Sequence, residues 1–498
     1  MTVASLGTFD IPSYGDLLQP LLLQRRLESI RQELLVVSPV GGQVFPDALP
    51  SLGLDDFLHT ELPLRGVVLG GGDLLQAHAG ATPYSGMSPS RSAAYASLWL
   101  GAEAGALRHG APLAWNAAGA PRPLAPVAAG LLRRVAARSQ YISVRDDGSE
   151  ALLRMAGCRV RAPVVPDPAF EAAGLFDRRE LEETFRVLVS MKGRRAEGRF
   201  VTLHATPASC SESPAELAEV FDAIARRLHA TPVLLSVSRC EGDAALMRDT
   251  SGFMASRPLV FDTPYRLQEI AACLAHSVAY FGPSIPAALT AFGHRVPFVF
   301  VDSRADHERE GVLELLERGQ DHAPTWRALV VRLDDGGLTD VSRDARVASG
   351  IQARLDDHWR ELLAVLQGTP RRRRSDRPVD EHTVVPQALL LEMLEGAVAP
   401  GGLAQQHHAA STTREGAASP RAGYRRAPDV PRPPPMPAPG GARPLRSSLP
   451  LGPGTVDGDW GALDRRDDVA TRRSVRREGV VGRPWLKAWQ AEPPLEHS

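Results

Sequence analysis

The chain has 498 residues, more than a single hydrophobic core usually supports, so two domains with additional sequence are expected. Its 43% hydrophobic and 23% charged residues and formal net charge of -1 describe ordinary globular protein, with neither nucleic acid nor a membrane expected as the main partner. Cys158, Cys210, Cys240 and Cys273 form no CxxC pair, which disfavours a zinc cage or disulfide scaffold and fits a reducing cytoplasm; separately, no metal or cofactor is expected.

The first ten residues lack the basic start and apolar run of a signal peptide, and no stretch approaches the roughly 20 apolar residues of a membrane span. From Val3 onward, short runs of Val, Leu and Phe alternate with segments of helical period, the pattern of βα units around a parallel sheet. A strand at Val3 to Leu6 leads through Gly7 to Asp10 into a helix opened by Tyr14-Gly15-Asp16. Further strands are predicted at Leu34 to Val37, Val67 to Leu69, Leu113 to Trp115, Tyr141 to Val144 and Pro163 to Val165. Helices are predicted at Ser90 to Arg108, Leu124 to Arg138 and Ser149 to Met155. The charged stretch Asp177 to Gly193 reads as one exposed helix joining two halves. Alternation then restarts, with strands at Phe200 to Leu203, Val233 to Val237, Leu259 to Phe261, Val278 to Phe281 and Phe298 to Val301, and helices at Ala215 to Leu228 and Leu267 to Ala275.

The expected architecture is therefore α/β, with two Rossmann-like domains built on parallel sheets. The first spans 1–175, a connecting helix 176–198, the second 199–367, and a mostly disordered Pro/Arg/Gly-rich tail 368–498. Within that tail, Gln387 to Val398 reads as a short amphipathic helix and Pro484 to Trp489 as a docking motif.

Open α/β sheets place ligands at the C-terminal ends of their strands, so the loops there are the candidates. Asp10 ends the first strand, and Asp16 is either a helix cap or a ligand of an anion or hydroxyl at that helix N-terminus. Gly70-Gly71-Gly72-Asp73 lets backbone approach a ligand, but Leu75 stands where a dinucleotide fingerprint needs glycine. Arg145, before a helix expected to be capped by Ser149, is either a clamp for carboxylate or phosphate or a structural ion pair. Gly282-Pro283-Ser284 leads into an apolar helix, and His204 ends a strand as either a base or phosphate ligand or a structural histidine. No GxSxG, HExxH or Walker segment occurs.

In order, GTFDIPSYGDLLQPLLL at 7–23, VVLGGGDLL at 67–75, WNAAGAP at 115–121 and ISVRDDGSEALLRMAGCRVRAPVVPDPAF at 142–170 resemble the polysaccharide pyruvyl transferase family. The resemblance implies a GT-B-like fold and transfer of the pyruvyl group of phosphoenolpyruvate onto sugar hydroxyls, in a glycan or a lipid-linked precursor. It also implies work in the cytoplasm, close to the membrane surface. It points to Asp10, Asp16 and Arg145 as catalytic, to His204, Gly282 and Ser284 as donor-binding, and to Gly71, Gly72, Asp73 and Asn116 as acceptor-binding. Where the family carries Gly-x-Arg-x-His, this chain has Ser284 and Pro286, losing a cation and an imidazole; His294, Arg295, Arg304 and His307 are the candidate replacements. A nucleotide-sugar glycosyltransferase and a noncatalytic glycan-binding descendant are the alternatives.

Overall fold

A computed structural model describes residues 2–76, 94–238, 241–303, 307–335, 338 and 344–368. Ser90, Cys240, Arg304 and all of the expected tail beyond Gly368, with its two islands, lie outside the described residues.

The N-terminal half holds five parallel strands, β1 (Thr2–Leu6), β2 (Glu33–Ser38), β3 (Leu52–Gly53), β4 (Leu64–Gly70) and β5 (Leu113–Asn116), in the order β3-β2-β1-β4-β5. Its helices are α1 (Tyr14–Glu28), α2 (Leu54–His59), α3 (Ala94–Arg108), α4 (Pro126–Arg138) and α5 (Asp147–Met155). Strand β1 is central and hydrogen-bonded on both sides, which its nearly all-buried sequence requires. The strands expected at Tyr141 and Pro163 reduce to isolated parallel bridges, Ala114 to Tyr141, Ala118 to Val144 and Val144 to Val164. Their polar and proline content breaks the ladder while keeping the chain beside the sheet.

Helix α6 (Arg178–Met191) makes the connection. It is not exposed all round: Leu181, Phe185, Leu188 and Val189 form a buried stripe packed on the second half, while its charges face water. The second sheet is also parallel, with β6 (Phe200–Leu203), β7 (Thr231–Leu235), β8 (Leu259–Phe261), β9 (Tyr280–Gly282), β10 (Phe298–Val301) and β11 (His322–Ala323) in the order β11-β10-β9-β6-β7-β8. Its helices are α7 (Pro214–Leu228), α8 (Asp243–Phe253), α9 (Leu267–Ala275), α10 (Ile285–Gly293), α11 (His307–Leu315) and α12 (Trp326–Asp335). Two parallel-sheet α/β domains are thus established, as the alternation predicts.

The last described helix, α13 (Ala345–Gln367), returns to the first half. Arg65 Nε donates to the Leu366 carbonyl at 3.0 Å, and a Cβ on Gly66 would stand 2.3 Å from the Leu366 side chain. The buried Glu171 accepts from Gln352 Nε2 at 2.9 Å and from the Trp359 indole at 3.2 Å. One hydrophobic cluster accordingly runs from Leu17 and Leu22 through Phe170 and Phe292 to Trp359, so the halves share a core. No helix among the described residues is long and apolar enough to cross a membrane.

Candidate functional site at the facing strand ends

The loop after β1 meets the second half directly. Ser13 pairs with Ser238 in an antiparallel bridge, the Tyr14 N-H donates to the Val237 carbonyl at 3.0 Å, and the Tyr14 hydroxyl lies 3.0 Å from Thr290 Oγ1. Gly15 is pressed on Pro286: a Cβ there would stand 2.5 Å from the ring. The C-terminal strand ends of both sheets therefore converge on the first turn of α1.

Ser13, not Asp16, occupies the N-cap position of α1, so the Asp16 carboxyl is released from capping. It accepts a hydrogen bond from Thr8 Oγ1 at 3.0 Å and faces the glycine loop, where a Cβ on Gly72 would lie 2.6 Å from Asp16 Oδ1. Gly71 and Gly72 have φ of +88° and +74°, and Gly71 rests on the Gln19 side chain, so this loop needs glycine for conformation and approach alike. Burial raises the Asp16 carboxyl to about 6, against the opposing hydrogen bonds of Ser13 and Thr8 and the attraction of Arg145.

Arg145 lies beside this loop, its side chain 9% exposed and its guanidinium laid on Gly119, where a Cβ would come within 2.6 Å. Four acidic side chains surround it. Asp73 pairs with it from the glycine loop, Glu308 Oε2 lies 2.6 Å from Nη2, and Asp167 and Asp146 lie 3.6 and 3.8 Å away. Burial alone would lower the Arg145 pKa, but Asp73, Glu308 and Asp167 outweigh it and hold the guanidinium charged. Asp146 rather than Ser149 caps α5: its Oδ1 accepts from the Ser149 N-H at 2.7 Å and its Oδ2 from the Ser149 hydroxyl at 2.8 Å. Glu308 comes from the other half, in the first turn of α11. Gly148 and Gly311 permit that approach, since Cβ atoms there would stand 1.9 Å from the His307 ring and 3.2 Å from Asp146 Cβ. Ligand atoms of Asp146, His307 and Glu308 lie within 4.8 Å of one another, spacing that suits a metal ion, but the Arg145 guanidinium already supplies the positive charge there.

At the strand ends of the second half, His204 is 1% exposed. Its Nε2 lies 3.3 Å from Asp243 Oδ2 and its Nδ1 3.2 Å from the Tyr280 hydroxyl. That hydroxyl accepts from the Ser284 N-H at 3.3 Å. Asp243 also accepts from Ser236 Oγ and from the N-H groups of Val237 and Ser238. Burial would raise its pKa, yet His204 and those backbone donors together leave it below the usual carboxylate range. Gly282 packs under the His204 carbonyl, where a Cβ would come within 2.5 Å, and Ser284 caps α10.

The structure brings Asp16, Gly71, Gly72, Asp73 and Arg145 together. Asp10 is tied to the Val40 N-H at 2.7 Å. Asn116 turns to α13, its Oδ1 2.8 Å from His358 Nε2, whose ring burial keeps neutral by lowering its pKa to about 3. Of the candidate replacements for the family Arg and His, His307 lies at the seam, whereas His294 and Arg295 follow the C-terminus of α10 at its far end. Arg309 was not foreseen: its Nε donates to the Pro283 carbonyl at 2.8 Å and its Nη2 lies 3.0 Å from buried Asp302, setting a guanidinium against the Gly282–Ser284 loop. Glu308, Thr8, Asp243 and Tyr280 were also unforeseen; only Thr8, two residues before Asp10, lay in a segment already under suspicion.

A cavity of about 320 Å³ lined by Ser139, Tyr141, Arg161 and Glu361 contains none of these residues.

The family model for polysaccharide pyruvyl transferase matches residues 14–304. No curated protein matches the chain. Among solved structures, UDP-GlcNAc 2-epimerase from Neisseria meningitidis bound to UDP-GlcNAc is similar at 11% identity and a TM-score of 0.44, over 74% of this chain and 99% of that one. The Methanocaldococcus jannaschii UDP-GlcNAc 2-epimerase is similar at 13% identity and 0.42, over 72% and 100%. The glycosyltransferase SnogD from Streptomyces nogalater is similar at 17% identity and 0.37, over 74% and 99%.

Proposed function

The chain belongs to the polysaccharide pyruvyl transferase family, and on that premise we propose that it transfers the pyruvyl group of phosphoenolpyruvate to two hydroxyls of a sugar, in a cell-surface glycan or its lipid-linked precursor. The observation that carries this reading is Asp16, a carboxyl at about 6 facing a loop of positive-φ glycines, beside a buried guanidinium. A carboxyl of that pKa exchanges protons in either direction near neutrality, as the reaction demands. Two sugar oxygens bond to the central carbon of the donor, its methylene takes one proton to become methyl, and the bridging C-O bond breaks as phosphate leaves with the other. In this scheme Asp16 takes the proton of an attacking hydroxyl, Arg145 holds the donor's negative charge, and Gly71, Gly72 and Asp73 border the sugar. Asp10 positions the loop through Val40. His204 acts at one remove, through Tyr280 and the Ser284 N-H, on the α10 N-terminus, where the phosphate is held with Arg309. We take the reaction to run in the cytoplasm, close to the membrane surface that carries lipid-linked precursors.

The test is to incubate the purified full chain with phosphoenolpyruvate and a panel of hexose acceptors, following acceptor-dependent phosphate release and ketal formation by mass spectrometry. Ketal product is expected. Its absence, with an active family member succeeding in the same assay, overturns the proposal, and stabilisation by UDP-sugars alone would replace it with glycosyl transfer.

A second reading, a noncatalytic glycan-binding member, is favoured by one observation: Pro286 packs on Gly15 where the family has histidine. Restoring both positions, with Ser284→Arg and Pro286→His, separates the two. Activity gained only in the double variant supports natural loss, and activity of the unaltered chain refutes it.

A further inference from the structure

Arg145 has no nitrogen without an acidic side chain within 4 Å: Nε faces Asp146, Nη1 faces Asp167, and Nη2 is shared by Asp73 and Glu308. Only Nη2 is in close contact, with Asp73 and Glu308, so a donor carboxylate that takes Nη2 must replace one of them. The four neighbours are not equally replaceable. Asp146 is committed to the Ser149 backbone and hydroxyl, and Asp167 to the Ala169 N-H at 2.8 Å and to Gln19 Nε2 at 3.2 Å. Asp73 is 43% exposed, at the edge of the shell. Glu308, 7% exposed and 2.6 Å from Arg145, is the one that comes from the opposite half, and it is held against Arg145 by the packing of α11 on α5 through Gly148 and Gly311.

We propose that Glu308 is a specificity-determining residue, a resident carboxylate that occupies the donor's place on Arg145 and yields it to a ligand carboxylate. The assignment rests on the pyruvyl transfer reading and sharpens it, because it says which end of the donor Arg145 takes. Exchange of one carboxylate for another leaves the charge around Arg145 unchanged once Glu308 has moved aside, and a planar carboxylate matches the fork of the guanidinium. A phosphate dianion in the same place would add a further negative charge beside the buried Asp146 and Asp167, where water screens weakly. Arg145 thus selects the carboxylate end, leaving the phosphate to the α10 N-terminus and Arg309.

The test is calorimetric binding to the full chain of three probes: phosphoenolpyruvate, pyruvate, which keeps the carboxylate alone, and inorganic phosphate. Glu308→Gln should tighten phosphoenolpyruvate and pyruvate roughly tenfold or more while leaving inorganic phosphate unchanged. Glu308→Asp, too short to span the seam, should shift both carboxylates in the same direction, and it serves if the Gln variant loses its melting transition. Where turnover is measurable, KM for phosphoenolpyruvate should fall without a matching rise in kcat. Unchanged or weaker carboxylate binding in a variant that melts like the parent overturns the assignment, as does an equal gain for inorganic phosphate. Ketal formation by the unaltered chain is scored separately: ketal with indifferent Glu308 variants sinks this inference alone, and tighter carboxylate binding without any ketal sinks the pyruvyl transfer reading alone.

Discussion

The strand ends of the two sheets both bury charge, yet the Arg145 cluster and the His204 cluster do so in opposite ways. Around Arg145, one cation faces four acidic side chains, one of them 43% exposed and another lent by the opposite half. Around Asp243, one carboxylate is met by His204, a serine hydroxyl and backbone N-H groups, all inside the second half. The first cluster has an excess of one charge and an edge open to water at Asp73. The second reaches outward through Tyr280 and Ser284 on one side and through the Val237–Ser238 backbone to Tyr14 and Ser13 on the other. Both clusters stand at strand ends; what separates them is whether the partners of the central charge come from one half or from both.

Substitutions should widen that contrast. The largest effect is expected from Asp16→Asn, which keeps an acceptor for Thr8 but cannot take a proton; ketal formation should fall by about 10²- to 10⁴-fold in steady-state assays. The same change should stabilise the fold at pH 7 by about 1–3 kcal/mol in urea melts, since a carboxyl raised to about 6 by burial costs stability when ionised. The sign follows from proton counts. Between about 4 and 6 the folded state holds the Asp16 proton more tightly than the unfolded chain, so this group's contribution declines as pH rises through that window and is level above it. With a base role, kcat/KM should rise with pH through about 6, and this rise should vanish in the Asn variant.

Next comes Arg145→Met, which leaves four acidic side chains facing one another without their cation; a loss of about 3–5 kcal/mol is expected in the same melts. Asp243→Asn probes the second cluster and should show the opposite pH sign to Asp16. Its depressed carboxyl adds stability above about 4 that disappears in acid, so the variant should differ from the parent at neutral pH and converge with it below. The smallest effect is expected from Tyr280→Phe, which removes the hydroxyl between His204 and the Ser284 N-H and should cost about 1–2 kcal/mol. A fall in kcat larger than that of Arg145→Met, in a Tyr280→Phe variant still folded, would erase the distinction between the clusters.

Much of the fold was readable because burial on both faces of a parallel sheet demands runs such as Phe200 to Leu203 and Phe298 to Val301, which appear in the structure with those bounds. The bridges at Tyr141 and Val164 were over-read as strands because apolar content alone does not report ladder length. Helix caps were misjudged by three residues at both sites. Ser13 and Asp146, not Asp16 and Ser149, hold the cap positions, and the error concealed that Asp16 faces Thr8 and the glycine loop. Arg145 was visible through its place at a strand end. Glu308 was not, because its significance depends on contact across more than 150 residues of sequence, and Arg309 was not, because its contact with Pro283 bridges 26 residues through the fold; no local pattern encodes either. Asn116 shows the converse: a polar side chain at the end of β5 meets His358 of the last helix, a contact its local sequence does not announce.

That last helix also governs how the protein can be dissected. Because Ala345–Gln367 supplies Trp359 and Leu366 to the first half, a fragment ending before it would expose the floor that Gly66 and Glu171 present to them. The two halves are linear neighbours in sequence but interlocked in space, and excising either at the connector would cut a shared foundation rather than separate two modules.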